Sequence, residues 1–300
     1  MPIEPKTCRA CHGADLTRTW TGHCRSGHLG EFSAEVSDAW QCRACHSIFI
    51  HSGRPYAESN FQEGVYRQSV DGQAGDQRGA YFLRHKDSTL GYLQHIAPSL
   101  IWQKDVLDFG CGAGLLIDMI ARQARRVVGI DLDENFHRSE DNLDIVRGVD
   151  EARRILPQVD TALCFSTIGH LHDVEGILDG LATLVKPGGH LIIGCVNPED
   201  ILIKAAPVAY AKVFYRQNYP NCFSASGLRA MMARRGFRHE ETKFEQRHGW
   251  ANFLGHIGIS ASEPLKAQPL SDELYKALVE SQGLSDYMYI TFQRDGAAPS

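Results

Sequence analysis

Two groups of residues in this chain combine types and spacings that can do chemistry. The first is Cys8-Arg9-Ala10-Cys11 with Cys42-Arg43-Ala44-Cys45, two C-x-x-C units with the same internal residues and 30 residues between them. Two such knuckles can present four thiolates to a tetrahedral zinc ion, which would hold together a module too small for its own core. A redox dithiol is the competing use, but no thioredoxin-like strand and helix surround either pair. His12 and His46 directly follow the knuckles and are substitute ligands or polar filler. The second group is Gly110-Cys111-Gly112-Ala113-Gly114 with Asp131 about 20 residues further on, where a carboxylate can accept both hydroxyl protons of a ribose. Alternating glycines let a ligand approach the backbone. A nicotinamide dinucleotide fingerprint would need a glycine at the sixth position, where this chain has Leu115.

These residues need particular elements to position them. Val106-Leu107-Asp108-Phe109 reads as a short apolar strand, Leu115 to Ala124 as a helix, and Arg126 to Asp131 as another strand. The glycines then sit at a strand-to-helix turn. The series continues with a strand at Thr161 to Phe165, a strongly periodic helix at Val174 to Val185, and a buried strand at His190 to Val196 after Lys186-Pro187-Gly188-Gly189. Ser224 can cap a helix through Arg235, with Gly236 at its left-handed end. Two last strands are expected near Arg238 to Gln246 and Tyr287 to Gln293. Strands separated by helices imply a parallel sheet.

Three parts follow from this pattern. Residues 1–55, rich in Cys, His and Gly, form a small module, and 56–80, centred on Asp71 to Asp76, a linker or lid. Residues 81–300 hold the strand and helix series, opening with a helix that can bury Leu83, Leu90, Leu93 and Ile96. An insertion at about 248–283 contains a second capped helix, Ser271 to Gln282.

Composition is that of an ordinary soluble protein: 300 residues, 43% apolar and 22% charged, with a formal net charge of -5 from 31 basic and 36 acidic side chains. Such a chain has no global field to attract phosphates, and no basic patch stands out beyond Arg234, Arg235 and Arg238, so nucleic-acid binding is not expected. Neither a signal-peptide pattern nor a run of about 18 apolar residues is present, and a cytoplasmic location is expected. The nine cysteines agree, because they do not form an evenly spread disulfide scaffold.

The glycine turn and its surroundings resemble the class I S-adenosylmethionine-dependent methyltransferases over about residues 81–295. Four stretches match in order: Val106 to Gly114, Val128 to Asp133, Asp160 to Leu171, and Leu184 to Leu191. The resemblance implies an α/β, doubly wound, Rossmann-like fold with a seven-stranded, mostly parallel sheet, here preceded by a small N-terminal zinc-ribbon module. It implies that Asp108, Gly110 and Gly112 surround the amino-acid part of S-adenosylmethionine, that Asp131 binds its ribose, that Leu132 flanks the adenine, and that Cys111 also belongs to the cofactor-binding set. Phe165 belongs to the same set. Asp150 or Val149 aligns with the family's acidic position near the adenine amino group. Where the family often has Glu before the histidine, this chain has Gly169, so no role for a carboxylate carries over there. The layout of ribbon and methyltransferase domain resembles bacterial sugar C-methyltransferases.

Methyl transfer from a sulfonium requires an oriented nucleophile and, for oxygen or carbon, removal of a proton. His170, just past the fourth strand, is the candidate base, and Tyr219 in Tyr219-Pro220-Asn221-Cys222-Phe223-Ser224 the candidate acceptor contact. His248, Trp250, Phe253, Leu254, Ile257 and Ile259 of the insertion either face an acceptor or belong to surface loop and packing. The expected activity is methylation of a small molecule at O, N or C, in sugar or secondary-metabolite biosynthesis. The alternative is a ribbon that recruits RNA or a protein, with the second domain modifying that partner or inactive. Oligomeric state is not legible.

Overall fold

The computed structural model describes residues 5–26, 31–53, 56–63, 77–259 and 269–296, with side chains undescribed at 77–84 and 269–270. The expected linker or lid at Asp71 to Asp76 lies outside these residues, as does the side chain of Leu83. Twelve strands occur among the described residues: β1 (Leu16–Gly22), β2 (Ser37–Cys42), β3 (Ile48–Ser52), β4 (Asp105–Phe109), β5 (Arg126–Ile130), β6 (Arg138–Glu140), β7 (Leu143–Val146), β8 (Val159–Phe165), β9 (Val185–Val196), β10 (Asn221–Cys222), β11 (Phe237–Glu245) and β12 (Tyr287–Arg294). No described helix is long and apolar enough to cross a membrane.

The chain divides into two compact units, the first comprising residues 1–55, 195–231 and 242–289. Its four-stranded sheet has the order β1-β2-β3-β10 and is antiparallel throughout. The N-terminal module thus takes its last strand from far along the sequence. Ile48, Ile50 and Cys222 of that sheet pack with Leu202, Tyr210, Ala211 and Tyr215, giving the ribbon an apolar core that its own residues are too few to supply. Ser224 caps the helix Ala225–Ala233 by accepting from Gly227 N at 3.0 Å, and Gly236 is left-handed at φ 72°. In the insertion, helices Trp250–His256 and Pro269–Ser281 pack together through Trp250, Phe253 and Tyr275, whose ring centroids are 5.5 to 5.6 Å apart.

The second unit comprises residues 56–194, 232–241 and 290–300. The eight-stranded sheet has the order β11-β12-β9-β8-β4-β5-β7-β6, with β4, β5, β7, β8 and β9 paired in parallel. All five residues of β4 are buried, as strands covered on both faces must be. To the seven strands expected the structure adds β6, a three-residue edge strand antiparallel to β7. Lys186-Pro187-Gly188-Gly189 does not separate helix from strand. The helix Val174–Leu184 ends at β9 directly, and those four residues form a bulge where the pairing jumps from Val185 to His190.

Candidate functional site

The strand β4 places the glycine turn at the sheet's C-terminal edge, where ligands bind in open parallel sheets. Gly110, Gly112 and Gly114 have φ of 79°, 57° and 83°, a region that side chains disfavour. Gly110 and Cys111 donate to Ile130 O at 2.8 and 3.1 Å, tying the turn to β5. Gly112 donates to Asp131 Oδ2 at 2.7 Å, and Asp133 N donates to Oδ1 at 3.0 Å. A Cβ on Gly110 would lie 2.1 Å from Thr167 Oγ1, so the approach of the β8 loop leaves room for hydrogen alone.

A cavity of about 520 Å³ opens beside this turn. Of the residues expected to act there, Asp108, Gly110, Cys111, Asp131, Leu132, Phe165 and His170 all line it. Three do not. Gly112 acts behind the wall, through its bond to Asp131. Asp150 is displaced by helix geometry: it lies in the first turn of Val149–Ile155 with its side chain 83% exposed and paired to Arg153 at 3.0 Å, while Val149 faces the cavity. Tyr219 belongs to the other unit, where it packs on the ribbon core. Burial there pushes its phenol well above the usual range, which disfavours it as a base.

Another part of the lining was not visible in the sequence. His85, Ser88, Thr89 and Tyr92, one face of the helix Gln77–Gln94, line the cavity with Glu58, Phe61, Ser166 and His172. The spacing i, i+3, i+4, i+7 is the signal that could have found them, since it marks one helix face as clearly in polar residues as in apolar ones. Leu90, expected to be buried, is 46% exposed. Tyr92 stacks on Phe165, centroids 5.1 Å apart, and its hydroxyl is 2.9 Å from Ser166 Oγ. Ser166 has a φ of 53°, backbone strain of the kind that gathers at functional sites. His170 meets the ring of Phe61 edge to face at 5.6 Å.

The electrostatics of the cavity centre on Asp108. Burial, and then the charge of Asp131, push its carboxyl up to about 7, so it is near half-ionised at neutral pH. The residues present fit a nucleoside carrying a positively charged amino-acid tail. The side-chain-free turn admits close backbone approach, Asp131 offers a carboxylate, Leu132 and Val149 offer apolar flanks, and Asp108 gains a counter-charge.

The second centre lies in the first unit. The thiols of Cys8, Cys11, Cys42 and Cys45 all lie within 4.8 Å of one another. Each knuckle closes alike: His12 N donates to Cys8 O and His46 N to Cys42 O, at 3.0 and 2.8 Å, with φ of 62° and 65° at the two histidines. The hydrogen bond between Cys8 and Cys45 pushes one thiol, Cys8, up and pulls the other, Cys45, down. Four convergent sulfurs on two matched turns suit a tetrahedral, thiolate-preferring ion. Neither histidine joins the cluster, and His46 Nδ1 is instead 2.9 Å from Glu199 Oε1.

Residues 82–242, more than half of the chain, match the family model described as a methyltransferase domain. Among curated proteins the chain is 36% identical over 118 residues to a ubiquinone biosynthesis O-methyltransferase of Cupriavidus pinatubonensis, covering 36% of this chain and 47% of the relative. It is 32% identical over 148 residues to the protein of the same name from Pectobacterium atrosepticum, covering 45% and 61%. The chain thus spans about half the length of the curated relatives it matches. A solved SAM-dependent methyltransferase from Archaeoglobus fulgidus is similar with a TM-score of 0.46 and 16% identity, over 77% of this chain and 98% of that one. This chain belongs to the S-adenosylmethionine-dependent methyltransferase family, with a zinc-ribbon-like four-cysteine module at its N-terminal end.

Proposed function

We propose that this chain methylates a small-molecule acceptor held in the cavity beside the glycine turn, and that the four cysteines hold a structural zinc ion. The observation that carries the first reading is the cavity's mixed lining, in which the turn with Asp108 and Asp131 is joined by a helix face of hydrogen-bonding side chains, His85, Ser88, Thr89 and Tyr92. The ubiquinone-pathway names of the relatives support a small acceptor and favour oxygen as the methylated atom.

Bound S-adenosylmethionine supplies an activated methyl group for in-line displacement, so the protein's own work is to bind, orient and deprotonate. Asp131 would accept from the ribose hydroxyls and Asp108 would pair with the amino group. His170, at the edge of the cavity, takes the acceptor proton, with Phe61 holding its ring edge to face. The direct test is transfer from labelled cofactor into a fractionated cell extract. Label is expected in small molecules and lost in His170→Gln, with cofactor affinity retained. Label in protein or RNA alone would overturn the reading.

Asp108 also gives a pH signature. Its carboxyl is raised to about 7 in the folded protein, so a cationic ligand against it binds better once the proton has left. Affinity for S-adenosylmethionine is expected to rise from about pH 6 to about pH 8, with net proton release on binding near neutrality. Calorimetry in buffers of different ionisation heat reads that release, and Asp108→Asn should abolish it. For stability the sign is opposite. The neutral carboxyl is the favoured buried form, so this group's contribution is lost as pH climbs from the ordinary aspartate value, 3.8, through about 7.

A further inference from the structure

Three left-handed glycines in five residues give the cofactor turn little to hold its own shape. The helix that follows, Leu115–Ala121, starts at Gly114 without a side-chain cap. The bonds to Ile130 O and Asp131 hold the front of the turn, and its Ala113–Gly114 end is met by a side chain from β6.

We propose that Arg138 is a positioning residue for the cofactor turn, and that the β6–β7 hairpin is a clamp on the helix behind it. This rests on reading the cavity as the S-adenosylmethionine site. The Arg138 side chain is 15% exposed and lies against the Cα of Gly114: a Cβ there would come within 3.0 and 3.1 Å of two guanidinium nitrogens. Nη1 donates to Ala113 O at 3.3 Å, and Nη2 donates to Asp118 in the helix's first turn. One planar group therefore joins a carbonyl of the turn to an acidic side chain in the first turn of the helix. The residue before it acts on the other cofactor element, with His137 Nε2 2.8 Å from Asp131 O. At the hairpin's tip, Asn142 Nδ2 donates to Ala121 O at 2.8 Å and Ala124 O at 3.3 Å, gripping the helix's far end. The pairing of Arg138 with Ile145 and of Glu140 with Leu143 sets the distance between the two grips.

The two ends of the clamp differ in what they should move. Calorimetry of S-adenosylhomocysteine binding, below each variant's melting temperature, is expected to show Arg138→Ala weakened by about tenfold or more and Arg138→Lys, which keeps the Asp118 pair, partly rescued. Asn142→Ala, remote from the turn, should lower the melting temperature while its affinity stays within about twofold of wild type. Arg138→Ala with wild-type affinity, whatever its melting temperature, would overturn the proposal. Wild-type protein that fails to bind S-adenosylhomocysteine would instead overturn the reading of the cavity.

Discussion

Gly110→Val is expected to lose S-adenosylmethionine binding by more than about a hundredfold while the sheet stays folded. Two independent costs meet at this residue. A β-branched side chain at φ 79° costs on the order of 1–3 kcal/mol of backbone strain. Its Cβ would also lie 2.1 Å from Thr167 Oγ1 and 2.4 Å from Cγ2, so the β8 loop must retreat from the turn. Thr167 is itself held by its Oγ1 donating to Phe165 O at 2.9 Å, and Phe165 carries the stacked ring of Tyr92. The displacement therefore reaches Phe165 and Tyr92 in the cavity lining as well as the turn. Equilibrium dialysis with labelled cofactor measures the loss, and far-ultraviolet circular dichroism checks the fold. Adding Thr167→Gly should recover part of the affinity, because it relieves the clash and leaves the strain. Wild-type affinity in Gly110→Val would show that the turn does not contact the cofactor.

The second large effect is expected from Cys42→Ser. Protein prepared without chelators should carry about one zinc per chain, and this variant should lose it together with the folded ribbon. The four thiols converge from both knuckles, and Cys42 also ends β2, so loss of its thiol frees the turn into β3. Binding energies for structural zinc are on the order of 10–16 kcal/mol, more than a single unit of this size can do without. Metal analysis gives the stoichiometry, and near-ultraviolet circular dichroism of Trp20 and Trp40 reports on the ribbon. Metal-free protein with an unchanged spectrum would overturn the zinc assignment.

What the sequence revealed, and what it hid, follows from range. The turn, Asp131 and the cysteine pairs are local patterns, and local backbone chemistry decides where they sit: glycines at positive φ, a carboxylate at a strand end, sulfurs on matched turns. Ser224 and Gly236 marked their helix for the same reason. Between Asp150 and Val149 the sequence could not choose; neighbouring helical residues point about 100° apart, and Val149 is the one that lines the cavity. The wall of His85, Ser88, Thr89 and Tyr92 stayed hidden because a search for buried apolar faces passes over a helix whose inward face is polar. β6 stayed hidden because three residues carry no periodicity, and β10 because two residues pair with a strand far away in sequence.

That last pairing bears on how the protein is made. Among the described residues the ribbon's β3 edge is paired by Asn221–Cys222, and Pro220 O accepts from Ile50 N beside them at 2.9 Å. As the chain leaves the ribosome, β1 to β3 emerge first but stay open along that edge until the strands from β4 to β9 have been synthesised. Early zinc loading would then guard a nascent, unpaired edge against the wrong neighbour. Cutting the gene after residue 55 would yield a fragment lacking its own closing strand.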